Sequence, residues 1–139
     1  MTAAIPAGVR PKRAARWAAL AFILPALAFG IPTPLVIDHV RRTSDLPWTP
    51  FGFQSHAGPF FDRLGPAGFN NLAWAFVVVC LLELVAGALL WRGRRRGAWL
   101  GAALTPVTLV FTLGFAFPFL LAALPLRLLL LVAARSGLR

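Results

Sequence analysis

Four long apolar runs constrain the fold of this chain more than any other feature of its sequence. A helix of about 20 residues spans the roughly 30 Å hydrocarbon core of a bilayer. Lipid offers no hydrogen-bond partners to exposed backbone N–H and C=O groups, so only helices or closed β-barrels cross it. These runs lack the alternating apolar and polar residues of barrel strands. We therefore predict an all-α, integral membrane four-helix bundle, with helices at about 17–37, 72–91, 98–117 and 118–134.

The composition supports a membrane protein. Of the 139 residues, 59% are hydrophobic and only 13% are charged, which is too little polar surface to cover a water-soluble globule. This excludes an ordinary cytosolic enzyme, a disordered tail and, because Cys80 is the single cysteine, a disulfide scaffold. The length allows one transmembrane domain, 17–139, preceded by a basic cytoplasmic arm, 1–16.

The distribution of charge predicts the orientation of the helices. The arm carries four basic residues and the turn at 92–97 carries another four, with no acid in either, whereas the outer loop at 38–70 carries three of each sign. Positive charge stays in the cytoplasm, so both termini are predicted there, in the cell (inner) membrane. Trp17, Trp91 and Trp99 lie beside the basic clusters, as interfacial indoles do.

Two other topologies remain open from the sequence. Residues 1–28 could be a cleaved signal peptide, although the apolar run continues to Ile37 and favours a retained helix. Residues 98–126 could form one long tilted helix with Arg127 at the interface. The glycine and proline within 114–118 favour a tight turn instead.

Two ionisable residues fall inside the apolar runs. Glu83 lies eight residues before Trp91, and Arg127 lies eight residues before Arg135, so both sit at about 12 Å from the same boundary. Charges at that depth are costly unless they are paired. If their helices touch, Glu83 and Arg127 form an ion pair, which is either purely structural or a candidate catalytic and ligand-binding site.

The outer loop offers further candidate residues. Asp38 and His39 could bind a ligand, but the spacing of the loop's histidines and acids matches no metal signature, so no metal is expected. The loop is also unusually aromatic. It either caps the bundle and encloses a lipophilic ligand or lies at the interface as an anchor; the residues concerned are Trp48, Phe51, Phe53, Pro59, Phe60 and Phe61.

The basic turn predicts contact with lipid. Arg92, Arg94, Arg95 and Arg96 could bind anionic headgroups, besides setting the topology. Nucleic acid is not an expected partner, since the positive charges form short clusters between apolar runs rather than one solvated face. No phosphate-binding loop, hydrolase or zinc motif occurs, and no cofactor is predicted.

Residues 83–98, ELVAGALLWRGRRRGA, resemble DoxX-like membrane proteins. Glu83, Gly87 and Gly93 occupy the positions of that family's Glu-x-x-x-Gly helix and Gly/Arg turn. The resemblance implies a small four-helix protein and, as in some members, association with membrane redox partners. It implies no established reaction.

Three functions are compatible with this architecture. The first is a non-catalytic accessory or assembly subunit whose partners are the bilayer and another membrane subunit or a second copy of the chain. The second is a membrane enzyme or binding protein for a quinone, isoprenoid or lipid that uses Glu83. The third, a small-ion transporter, needs more intramembrane polar groups than the runs supply. The sequence leaves open whether the protein is an enzyme.

Overall fold

The structure, a computed structural model, describes the backbone of residues 9–139 and the side chains of residues 12–139. That part of the chain contains helices and no strand. The helices are α1 (Val9–Gly30), α2 (Thr33–Thr43), α3 (Pro59–Trp91), α4 (Arg95–Gly114), α5 (Pro118–Ala134) and a 3₁₀ turn, Arg135–Gly137.

Four helical segments in the described residues are long and apolar enough to cross a membrane. This confirms the predicted all-α class and the number of candidate spans. Two segments are long, Lys12–Thr43 and Pro59–Trp91, and two are short, Arg95–Gly114 and Pro118–Gly137. α1 packs against α3 and α5, and α4 packs against the same two helices, so α3 and α5 lie diagonally across the bundle.

The two ends of the bundle differ in character. The basic end holds the start of α1, the turn between α3 and α4, and the C-terminal residues. The loop end holds α2, the start of α3 and the turn between α4 and α5. At the loop end the two long segments continue beyond the two short ones, because they contain 12 or 13 more residues.

The first helix differs from the predicted 17–37. It begins earlier, because part of the basic arm is helical, and it breaks at residues 31–32, where prolines interrupt the hydrogen bonding. The chain then forms α2. Pro34 falls in the first turn of that helix, where proline is tolerated. Amides in the first turn have no partner in the helix, so the proline removes no bond there.

The predicted outer loop, 38–70, is largely helical and needs correction. α2 continues to Thr43, and α3 begins at Pro59, with a kink where Gly65 adopts φ 67°. The irregular segment is therefore only 44–58. A tight hairpin forms within it, with Thr49 N donating to Phe53 O at 2.8 Å and Ser55 N to Pro47 O at 2.9 Å.

The predicted reversal between the last two spans is confirmed. α4 ends at Gly114 and α5 begins at Pro118, which excludes one continuous helix over 98–126. The segment 44–58 folds down onto this turn, in the space left by the short helices. A Cβ on Gly58 would lie 2.5 Å from the carbonyl oxygen of Gly114, so the absence of a side chain permits the close approach. The loop therefore caps the bundle.

Small residues bring the helices together in the middle of the bundle. A Cβ on Gly101 of α4 would lie 2.7 Å from the Phe22 ring, and one on Gly87 of α3 would lie 2.5 Å from Ile23. Ala18 and Ala19 are fully buried on α1. Such residues allow the close backbone approach on which helix association in lipid depends. Cys80 is a buried free thiol.

Candidate functional site

The structure joins the two ionisable residues of the apolar runs. Arg127 and Glu83 form a two-pronged ion pair, with Nη1 to Oε1 at 2.6 Å and Nη2 to Oε2 at 3.1 Å. Their side chains are 0% and 3% exposed. α3 and α5 lie on a diagonal, so the pair bridges the centre of the bundle rather than a contact between adjacent helices. The matched depth read from the sequence therefore identified the partners, and the long arginine side chain spans the remaining distance.

The first span supplies the third hydrogen bond of the arginine. Arg127 Nε donates to the carbonyl oxygen of Ala21 at 2.9 Å. In a regular helix that carbonyl accepts from the amide four residues later, which here is Pro25 and has no N–H. Pro25 therefore leaves one acceptor in α1 without a helical partner, and the guanidinium takes it. The guanidinium carbon also lies 4.6 Å from the centre of the Phe22 ring, within cation–π range.

The carboxylate has a second donor. Thr108 Oγ1 of α4 donates to Glu83 Oε1 at 2.6 Å. We call the five residues Ala21, Phe22, Glu83, Thr108 and Arg127 the central cluster; all four membrane-length segments contribute to it. A buried charge pair with these additional hydrogen bonds is electrically neutral and well satisfied, which is the condition for tolerating it away from water. Its geometry suits a structural crosslink.

A cavity lies at the loop end, where the hairpin covers the turn between α4 and α5. We call it the loop pocket; its volume is about 670 Å³, within the range of small-molecule sites. Its walls come from the end of α1, the hairpin and the start of α5. The lining is mostly aromatic and aliphatic, with few polar residues, and includes Phe29, Pro32, Phe51, Phe53, Phe117 and Phe119.

His56 is the titratable residue in the lining of the loop pocket. Its ring lies edge-on to Phe69, Phe115 and Phe117, with centroid separations of 6.2, 5.4 and 4.8 Å. Nε2 lies 3.1 Å from Thr33 Oγ1, and Nδ1 lies 2.6 Å from Ser55 Oγ. Because the Thr33 hydroxyl donates to Phe29 O, it accepts from Nε2–H, which leaves Nδ1 to accept from Ser55. This arrangement describes a neutral imidazole.

Burial fixes the protonation state of this histidine. His56 is 4% exposed, and its removal from water lowers its pKa from 6.5 to about 4. The residue also adopts φ 61°, an uncommon conformation outside glycine. The two side-chain hydrogen bonds and the surrounding rings hold it in that conformation. At neutral pH His56 therefore contributes no charge to the lining of the loop pocket.

The other predicted site residues lie elsewhere. Asp38 forms an exposed ion pair with Arg42, Oδ2 to Nη2 at 3.0 Å, one turn along α2. His39 follows it, and its carbonyl accepts from Thr43. Neither residue lines the loop pocket or touches the central cluster. Among residues 12–139, no group of three His, Cys, Asp or Glu residues is placed to hold a metal ion.

The four arginines of the basic turn have different surroundings in the structure. Arg92 and Arg94 line a second, smaller pocket at the basic end, whereas the Nε of Arg95 donates to the carbonyl of Leu138 at 3.1 Å. Arg96 is exposed and lines neither pocket. The four arginines therefore differ in surroundings, although the sequence treats them as one cluster.

Sequence reasoning missed parts of both sites. Two threonines lie one turn apart on α4, and the sequence does not distinguish them: Thr105 donates to Gly101 O of its own helix at 2.8 Å, whereas Thr108 donates to Glu83. The free carbonyl of Ala21 could have been found by counting four residues back from Pro25. Nothing in the sequence indicated that His56, and not His39, lines the loop pocket, because this depends on how the loop folds.

Comparison with known proteins adds no assignment: the chain matches no known family, no curated protein and no solved structure. The resemblance of residues 83–98 to DoxX-like proteins is not addressed by these results and stays a prediction.

Proposed function

We propose that the chain is inserted in the cell (inner) membrane through its four long apolar helices, with the basic end in the cytoplasm. The charge count supports this orientation. The basic end carries the start of α1, the basic turn and two further arginines without an acidic side chain, whereas the three aspartates lie at the loop end. Exposed indoles at the basic end, Trp17, Trp91 and Trp99, fit the interface between headgroups and hydrocarbon.

Within that arrangement we propose that the protein binds a lipophilic molecule in the loop pocket. The observation that supports this is the cavity of about 670 Å³ under the aromatic hairpin, lined mainly by phenylalanine, proline and alanine. The hairpin thus serves as the lid that the aromatic loop predicts. A concave apolar site with a few polar groups is the usual form of a small-molecule site.

The partners of the polar lining residues define the class of ligand. Thr49 Oγ1 donates to Phe53 O at 2.8 Å, Gln54 Nε2 donates to Asp45 Oδ1 at 3.3 Å, and both ring nitrogens of His56 face hydroxyl groups of the protein. These groups gain little from a polar ligand, so the pocket favours an apolar chain or ring. The lipophilic class predicted from the sequence, a quinone, isoprenoid or lipid, fits here through its apolar portion and not through Glu83.

Photoaffinity labelling tests this proposal. The purified chain in neutral detergent is irradiated with palmitate that carries a diazirine at the chain end, and the labelled residues are mapped by mass spectrometry. We expect saturable labelling within the hairpin and residues 115–119. Unlabelled decylubiquinone and geranylgeraniol, added as competitors, then show which apolar group is preferred.

A pair of matched variants makes the test specific. Ala28→Trp places an indole at an exposed alanine that lines the loop pocket, and Ala102→Trp places one at an exposed alanine of α4 outside it. Filling the cavity should lower saturable labelling about fivefold or more, since each buried methylene contributes about 0.8 kcal/mol. The α4 variant should label as the unaltered chain does. Labelling spread evenly over the lipid-facing helices, or lowered equally by both variants, would overturn the proposal.

The accessory-subunit function is a second candidate, favoured by the central cluster. A catalytic or ligand-binding Glu83 needs a cavity that reaches it, but the carboxylate is 3% exposed and already accepts from Arg127 and Thr108. A structural pair is compatible with a protein that acts by binding, alone or beside another subunit. The hypotheses of Glu83 catalysis and ion transport receive no such support from the geometry of the central cluster.

A further inference from the structure

A second pocket lies at the basic end, at the opposite end of the bundle from the loop pocket. We call it the basic pocket; it encloses about 320 Å³. Three separate segments build it: the beginning of α1, the turn between α3 and α4, and the C-terminal residues. Its charged and aromatic lining consists of Lys12, Arg16, Trp91, Arg92, Arg94 and Arg139.

The five cations of the basic pocket face no acidic side chain. The chain has four acidic residues, of which Glu83 is buried against Arg127 and the other three lie at the loop end. In the described part of the chain, the ion pairs are Glu83–Arg127 and Asp38–Arg42, and neither includes a residue of this pocket. Positive charges gathered in one concavity repel one another, so an anion that enters it stabilises the arrangement.

Main-chain hydrogen bonds hold the walls of the basic pocket in place. Arg139 N donates to Gly93 O, and Arg95 N donates to Arg139 O, both at 2.8 Å. The Nε of Arg95 adds a bond to the Leu138 carbonyl, and Leu138 itself is buried. The C-terminal residues are thereby fixed beside the basic turn. Across the pocket, the guanidinium carbon of Arg16 lies 5.6 Å from the centre of the Trp91 ring.

The position of the basic pocket along the bundle indicates the source of the anion. Trp17, Trp91 and Trp99 are 63%, 51% and 78% exposed, and all lie at this end. Exposed indoles occupy the headgroup level of a bilayer. We propose that the basic pocket binds the phosphodiester headgroup of an anionic phospholipid. This proposal rests on the proposed membrane insertion, but not on a ligand in the loop pocket.

The arginines of the basic turn have different roles in this site. Arg92 and Arg94 contact the phosphodiester, together with the α1 residues Lys12 and Arg16 that the sequence places far away. Arg95 acts by fixing the C-terminal residues, because its Nε already donates to the Leu138 carbonyl. Arg96 lies outside the pocket and contributes only general surface charge.

Native mass spectrometry tests the site on the full chain. The protein is purified in neutral detergent, mixed with phosphatidylglycerol or phosphatidylcholine, and the fraction that retains one lipid is measured. We expect phosphatidylglycerol to be retained and phosphatidylcholine to be lost. The double variant Arg92→Gln/Arg94→Gln should weaken phosphatidylglycerol binding at least tenfold, since each basic residue near a phosphate contributes about fivefold. Lys12→Gln/Arg16→Gln, which alters the opposite wall, should do the same.

Matched variants separate this site from general attraction. Arg96→Gln/Arg135→Gln removes the same charge from exposed positions at the same end, and should change binding less than twofold. Arg92→Lys/Arg94→Lys keeps the charge and should retain the lipid. An equal loss in the Arg96/Arg135 variant, or equal retention of phosphatidylcholine, would overturn the site. Displacement of the lipid by an equal concentration of inorganic phosphate would instead assign the pocket to a soluble anion and overturn the lipid proposal.

Discussion

The central cluster and the loop pocket both contain polar side chains removed from water, but they differ in what surrounds those side chains. In the central cluster, Glu83 and Arg127 bond to each other and to groups from the two remaining spans. In the loop pocket, His56 also has two partners, yet its ring borders a cavity of about 670 Å³. One region is filled by protein, and the other leaves room for a molecule.

This difference in surroundings distinguishes polar residues that stabilise the fold from a polar residue that borders a binding cavity. An ionised residue in a membrane helix is by default a candidate functional residue. Here the ionised pair is enclosed, whereas the uncharged histidine stands next to the available space. The cost of burying each group explains this. A buried charge is tolerated only when a counter-charge and hydrogen bonds offset its desolvation, whereas a neutral imidazole is satisfied by two hydroxyl groups and tolerates an apolar cavity beside it.

The largest expected effect comes from breaking the central ion pair. Arg127→Leu leaves the buried carboxylate of Glu83 without its positive partner, and Glu83→Gln leaves the buried guanidinium of Arg127 without its negative partner. Each should lower the free energy of unfolding by about 3–5 kcal/mol. The double variant should be more stable than the sum of the two losses predicts, by about 1.5 kcal/mol or more. Reversible unfolding in mixed micelles, with dodecyl sulfate as the denaturant, measures these values.

The exposed pair on α2 provides the control. Arg42→Leu also removes an arginine from an ion pair, but the side chains of Arg42 and Asp38 are 77% and 57% exposed. Exposed pairs contribute little, so the loss should stay below about 1 kcal/mol. Additive losses at Glu83 and Arg127, or a loss at Arg42 as large as theirs, would show that the central pair does not stabilise the bundle as a unit.

The sequence predicted the central cluster better than the loop pocket for a physical reason. The requirement to span hydrocarbon fixes helix length and depth, so two charges at the same depth on different spans could be paired before the structure was known. Outside the hydrocarbon that constraint is absent. No local pattern in the loop reveals that 33–43 forms a separate helix or that α3 begins as early as residue 59. The packing of the hairpin against the turn after Gly114 also depends on tertiary contacts.

A smaller effect is expected from acidifying the loop pocket. The pKa of His56 falls from 6.5 to about 4 on folding, so between these values the opened loop binds more protons than the closed one. The stability of the closed loop is therefore complete above pH 6.5 and decreases as the pH falls toward 4. From pH 7 to pH 5 the loss should be about 2 kcal/mol, or roughly a 30-fold rise in loop opening.

Hydrogen exchange of residues 44–58, corrected for the intrinsic pH dependence of exchange, measures this opening. His56→Gln removes the titrating group and should remove the pH dependence, whereas His39→Gln, which alters the other histidine, should preserve it. Loop exchange that stays constant between pH 7 and 5 in the unaltered chain would mean that His56 is not enclosed by the loop. A pH dependence that survives in His56→Gln would assign the effect to another group.

The smallest effect sharpens the description of the central cluster. Thr108→Val removes the hydroxyl that donates to Glu83 Oε1 but keeps the shape of the side chain. We expect a loss of about 1 kcal/mol, because hydrogen bonds between membrane helices are usually weak even when they are buried. Thr112→Val is the matched control, since Thr112 is equally buried and its hydroxyl donates to the carbonyl of Thr108 in its own helix. Equal losses would show that the carboxylate gains nothing from the fourth span. A loss confined to Thr108→Val would show that a donor from α4 stabilises the carboxylate in addition to Arg127.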